Sequence, residues 1–156
     1  MEALILTVLL TSVPLIFAAT GELVAERSGV LNLGVEGMML MGAVSAFAVT
    51  SIFGNPYMGI LAGAVAGAMT AAVFSLFALG LATNQVATGL ALTIFGSGLS
   101  GLIGAPFVGG TVEGLPNLGV PLLIDIPVIG NLLFNHDIMA YLSIGVLVLV
   151  AWFLNR

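Results

Sequence analysis

Of the 156 residues, 60% are hydrophobic and only 6% charged, and seven acids against two arginines leave a net charge of −5. Soluble domains carry roughly 25% charged residues, so a soluble globular domain is excluded, and nothing basic is available to hold nucleic acid. With no cysteine and no lysine, thiolate metal sites, cysteine nucleophiles and the lysine-bearing phosphate loop are excluded too.

What remains is a set of continuous apolar runs, with a mean hydropathy of +1.28. Each is long enough to cross a hydrocarbon core of roughly 30 Å, and none alternates as a barrel strand does. The expected fold is all-α, a polytopic transmembrane helix bundle of about five spans. The opening "MEALILTVLL" has an acid where a secretory signal has basic residues, so it reads as the first span, at about 3–20, with Pro14 inside it. Proline is tolerated there when neighbouring groups meet the freed carbonyl. Next comes "ERSGVLNLGVEGMMLMG", with two carboxylates, an arginine, an asparagine and four glycines between two apolar runs.

The second span is expected at about 38–53, followed by a turn at "GNPY". The third falls at about 58–81, the fourth at about 85–104 and the last at about 138–154. A proline-rich loop at 105–136 separates the final two. Arg27 and Arg156 fall on the same side of an alternating path, which the positive-inside rule assigns to the cytoplasm. The 105–136 loop is then extracytoplasmic, a surface connection or part of a docking face for an outside partner.

Small residues let membrane helices approach closely. Gly59, Gly63 and Gly67 share one face of the third span, and Gly42, Ala46 and Thr50 one face of the second. The fourth span carries Gly89, Gly96, Gly98, Gly101 and Gly104. It also opens with Asn84 and Gln85 and holds Thr88, Thr93, Ser97 and Ser100, hydroxyls that bond their own backbone or line a polar path. Glu36 stands where apolar residues begin, and a carboxylate within a membrane faces a cavity or a partner. Gly29, Gly34 and Gly37 permit backbone geometries closed to other residues. The stretch "SGVLNLGVEG" is either a solvated cytoplasmic loop or a turn or broken helix that aims Asn32 and Glu36 at a pathway. His136 beside Asp137 reads as an interfacial pair. No catalytic residues and no metal-ligand spacing are visible.

"GELVAERSGVLNLGVEGMMLMGA" and "NQVATGLALTIFGSGLSG" together resemble two ordered segments of the permease subunits of ATP-binding-cassette importers in the ribose and branched-chain amino acid class. They are closest to the nucleoside and simple-sugar branch. Ser28, Gly29, Asn32, Gly34, Glu36 and Gly37 match the first string; Asn84, Gln85 and Gly89 match the second. The resemblance implies a transport subunit that is not itself an enzyme and carries no cofactor, ATP being hydrolysed on separate ATP-binding cassette subunits. It also implies a second permease, an extracytoplasmic solute-binding protein, often a lipoprotein, and a bacterial cytoplasmic membrane. Asn32, Glu36, Asn84, Gln85 and Thr88 become the pathway or gating candidates. Family permeases run to about ten spans, so the chain is expected to be an N-terminal half, unable alone to couple to ATP. The alternatives are the same architecture serving branched-chain amino acids or another small polar solute, and a non-transporting membrane scaffold subunit.

Overall fold

A computed structural model describes residues 2–119 and 135–156. It is all-α apart from one two-residue pairing. Helix α1 spans Glu2–Arg27, α2 Val35–Phe53, α3 Pro56–Ser75, α4 Gln85–Gly104 and α5 Ile138–Leu154. Helix α3 continues into a π-helical turn at Leu76–Gly80, and α4 into a 3₁₀ turn at Ala105–Phe107. Among the described residues, four stretches are long and apolar enough to cross a membrane: Thr7–Arg27, Val35–Phe53, Pro56–Gly80 and Gln85–Phe107. Helix α5 is apolar and 17 residues long, at the lower limit for a span. The chain is a multi-pass integral membrane protein.

The helix ends follow from local chemistry. Helix α1 runs seven residues past Thr20, where the first span was expected to stop, because Glu, Leu, Ala and Arg in Gly21–Arg27 are good helix formers. It stops at Gly29, which takes φ +83°. The Val30 N–H donates to Ala25 O (3.0 Å) and the Gly29 N–H to Glu26 O (2.9 Å). These are the two bonds of a Schellman cap, for which a left-handed glycine is the usual solution. Helix α2 ends on left-handed Gly54, and Asn55 then caps α3 by accepting from the Tyr57 N–H, with Pro56 at the first helical position. Asn84 caps α4, its Oδ1 accepting from the Ala87 N–H at 3.0 Å.

The chain forms two compact units, residues 25–114 and residues 1–24 with 115–156. In the first, α2 packs antiparallel against α3. A Cβ on Gly63 would lie 2.9 Å from Gly42 O, and one on Gly59 would lie 2.7 Å from Ala46 O and would collide with Thr50 Oγ1. Gly67, expected on the same packing face, meets nothing within 4 Å. Beyond Gly63 the two helices no longer touch along that row, so four-residue spacing alone overstates the contact. Gly98 and Gly101 are likewise open, whereas Gly104 touches Val44.

In the second unit, Leu118–Gly119 pairs antiparallel with Asn135–His136. Asp137 caps α5, its Oδ1 accepting from the Ala140 N–H at 3.0 Å. His136 is buried. Residues 120–134 of the 105–136 loop lie outside the described residues.

Candidate functional site: the break between α1 and α2 against α4

Between the Schellman cap of α1 and the first turn of α2, residues 28–34 are not helical. In a membrane such backbone is tolerated only where protein or enclosed water meets its polar groups. Here α4 meets them. Gln85 Oε1 accepts from the Leu31 N–H at 2.8 Å, and Thr93 Oγ1 donates to Leu33 O at 2.9 Å. Asn32 folds back locally, its Oδ1 accepting from the Gly34 N–H at 2.9 Å, while its Nδ2 sits 3.6 Å from Met38 Sδ. The carbonyl of Gly34 takes the Met38 N–H at 3.1 Å, the first bond of α2.

Glycines set how close the break can come. A Cβ on Gly89 would stand 2.8 Å from Leu33 N and 2.9 Å from Gly34 N; one on Gly37 would stand 2.5 Å from Leu92 O. A Cβ on Gly96 would stand 2.7 Å from both Gly37 Cα and Gly37 O. Gln85, Gly89, Thr93 and Gly96, spaced by four, four and three, therefore form one face of α4 that receives the whole segment from Leu31 to Gly37. Val30 and Met38 close the arrangement by packing on the buried cluster of Phe74, Ala78 and Leu92.

At 1.5 Å per residue, Thr93 lies about 12 Å along α4 from Gln85, the residue that opens the candidate span. Glu36 is in the first turn of α2, where a carboxylate complements the positive end of the helix dipole, and it is exposed on the unit's surface.

The expected site residues divide by role. Asn32, Gly34, Gly37, Gln85 and Gly89 come together in the interlock, and Gly29 and Ser28 belong to the cap that leads into it. Asn84 and Thr88 lie apart from it. Asn84 caps α4, and the Thr88 hydroxyl bonds Asn84 O at 2.9 Å and Thr83 Oγ1 at 2.8 Å. Thr93 and Gly96 were missing from the expected set, although their spacing from Gln85 and Gly89 on one helical face is a readable signal. No cluster of three or more potential metal ligands occurs among the described residues.

Replacing Thr93 by Val leaves Leu33 O without this donor, an expected loss of about 1 kcal/mol. Thr93→Ser keeps the donor and should lose little. Unfolding of the two variants in mixed micelles, titrated with denaturing detergent, checks the difference.

Residues 28–34, the non-helical connection between two candidate spans, are thus held against α4 by Gln85, Thr93 and the close approach at Gly89. The chain belongs to the family described as the branched-chain amino acid transport system / permease component, which matches residues 4–156. It is 37% identical over 146 residues to a Haloferax volcanii protein provisionally described as a glucose ABC transporter permease, covering 91% of this chain and 44% of that relative. It is 38% identical over 60 residues to the guanosine ABC transporter permease of Bacillus subtilis (35% of this chain, 19% of the relative). A nucleoside ABC transporter permease of Lactococcus lactis is 37% identical over 67 residues, covering 39% of this chain and 21% of the relative. The chain thus spans less than half the length of the curated relatives it matches. No solved structure matches it.

Proposed function

We propose that these residues are part of the permease subunit of an ATP-driven importer of nucleosides or simple sugars. The observation that carries the reading is the interlock. A polar, glycine-rich connection held against α4 by side-chain hydrogen bonds is more than a passive scaffold needs, and the two segments that form it are the ones that resemble nucleoside and sugar permeases. The names of the three relatives support the solute class, while the family description keeps a branched-chain amino acid as the alternative.

In this reading the break forms a wall of the solute pathway. Asn32 stiffens it, and Glu36 faces water or a partner helix, because a carboxylate exposed to hydrocarbon is costly. Gln85 and Thr93 hold the wall to α4, so that any tilt of α4 moves it. The chain itself binds no cofactor. ATP is hydrolysed on cassette subunits, a second permease completes the pathway, and an extracytoplasmic binding protein delivers the solute.

The test is uptake of labelled guanosine, glucose and leucine into cells or vesicles carrying the full importer. Glu36→Gln in the intact permease is expected to lower the uptake rate roughly tenfold, a barrier change of about 1.4 kcal/mol, without lowering the amount of assembled complex. Unchanged uptake would remove Glu36 from the pathway. Uptake of leucine alone would move the solute class to the alternative.

A further inference from the structure

The interlock is one end of a longer contact between α2 and α4. At the other end the Phe47 ring meets the Phe107 ring edge to face, with centroids 6.4 Å apart and planes at 80°. Between them, a Cβ on Gly104 would touch Val44 at 3.4 Å. One register holds throughout: Leu33 pairs with Thr93, Val44 with Gly104 and Phe47 with Phe107, each 60 positions apart. Helices α2 and α4 therefore run parallel and in step. Helices crossing at about 50° part within a few turns, and contact kept over about 18 Å, from Leu92 to Gly104, fits the shallow class near 20°. Past α4 the chain folds back. Val108 takes φ −62° and ψ 128°, Gly109 takes φ +83°, and the Gly110 N–H donates to Phe107 O at 3.1 Å, the pattern of a type II turn. A Cβ on Gly110 would stand 3.9 Å from Phe47 Cζ, so the turn rests beside the same ring.

We propose that α2 and α4 act as one rigid lever between the turn at 107–110 and the break at 28–34, so that a displacement of the turn is delivered to the break. The closest approach lies between the two ends, where Gly37 and Gly96 bring backbone onto backbone and leave no side chain to absorb a shift. Packed contacts of that kind hold one arrangement or jump to another, and do not deform continuously. The two ends differ in kind. At the break, two directional hydrogen bonds, Leu31 N–H to Gln85 and Thr93 to Leu33 O, follow the position of α4. At the turn, an aromatic pair sets that position. Helix α3 is not on this path, because its glycine row meets α2 on a different face, at Gly42 and Ala46.

The consequence for transport rests on the reading of the break as a wall of the solute pathway. In that reading the lever regulates the wall: an event at the turn moves it without touching it. The mechanical part concerns the unit of residues 25–114 alone and is measured on the chain without solute.

Nitroxide pairs placed as cysteines at exposed positions read the three contacts: Leu33→Cys with Leu90→Cys at the break, Ile52→Cys with Val108→Cys at the turn, and Leu40→Cys with Met69→Cys across α2 and α3. Two variants disturb the turn end in opposite senses. Phe107→Ala takes the ring away from Phe47, and Gly104→Leu drives a side chain at Val44. In mild detergent, both variants are expected to broaden the Ile52–Val108 distance distribution about twofold or more, and the Leu33–Leu90 distribution with it. The Leu40–Met69 pair should keep its width. A Leu33–Leu90 distribution that stays narrow while Ile52–Val108 broadens would overturn the lever. So would equal broadening of all three pairs, the mark of a unit loosened throughout, and so would no change at any pair, since the rings then do not hold the turn. If one variant fails to fold, the other carries the same readout. Uptake by the full importer separates this inference from the transport reading: unchanged uptake with a broadened Leu33–Leu90 pair removes the break from the pathway and leaves the lever standing.

Discussion

Gly96→Leu is expected to prevent the unit formed by residues 25–114 from folding. Any Cβ at Gly96 meets Gly37 Cα and O at 2.7 Å and Gly37 C at 2.9 Å. All three are backbone atoms, so no side chain can swing aside, and the helices must separate. Overpacking typically costs 1–3 kcal/mol and occasionally more. With backbone on both sides and three further carbon atoms to place, a loss of about 3 kcal/mol or more is expected. Helix propensity pulls the other way, since replacing a mid-helix glycine gains about 0.8–1 kcal/mol, and the clash outweighs it. Gly98→Leu is the matched control: it meets nothing within 4 Å and should be neutral or slightly stabilising. Size-exclusion profiles and thermal midpoints in mild detergent separate the two. Equal behaviour of Gly96→Leu and Gly98→Leu would mean that α2 and α4 do not approach through Gly37.

Gly89→Leu is expected to detach the break without unfolding the unit. Its Cβ would press on Leu33 N, Leu33 C and Gly34 N, all in the non-helical segment, which has somewhere to go. Lifting 31–34 off α4 gives up the Leu31–Gln85 and Leu33–Thr93 bonds, a combined loss of roughly 2–3 kcal/mol including strain. The α2–α3 contact through Gly42 and Gly63 remains. Amide exchange at Leu31 and Gly34 should accelerate about thirtyfold or more, while amides in the middle of α3 stay protected. In the full importer, uptake should fall with the complex still assembled. Uniformly faster exchange throughout the unit would show that the break is not a separable element.

The helices were legible in the sequence because continuous apolar runs have no other stable form in lipid. Several of their ends were legible too, since Gly54-Asn55-Pro56 and Asn84 carry the cap chemistry that stops and starts helices. The end of α1 was misplaced because the apolar run ends near Thr20, whereas helix propensity carries the element through to the glycine cap. The polar string 28–37 and the string 84–101 were both recognisable as unusual, but periodicity within one helix does not say which helix lies opposite. That is why Thr93 and Gly96 were seen only as a hydroxyl and a small residue among others, and why Gly67 looked equivalent to Gly63. The bonds that make Asn84 the cap of α4 and join Thr88 to Thr83 were not legible, because polar residues at a span's mouth look alike until their hydrogen bonds are known. The π turn at Leu76–Gly80 has no sequence signal comparable to a cap, because the residues that form it are ordinary helix formers.

The measurement that bears most directly on the central claim is the distance between nitroxides on the break and on α4. The chain has no cysteine, so paired labels at Leu33→Cys with Leu90→Cys, and at Leu33→Cys with Leu102→Cys, can be placed without further substitution. All three positions are exposed enough to accept a label. In lipid bilayers the Leu33–Leu90 pair should show strong dipolar broadening with a narrow distance distribution, and the Leu33–Leu102 pair should lie about 15–18 Å farther along α4. A broad Leu33–Leu90 distribution, of the kind a mobile surface loop gives, would contradict the interlock.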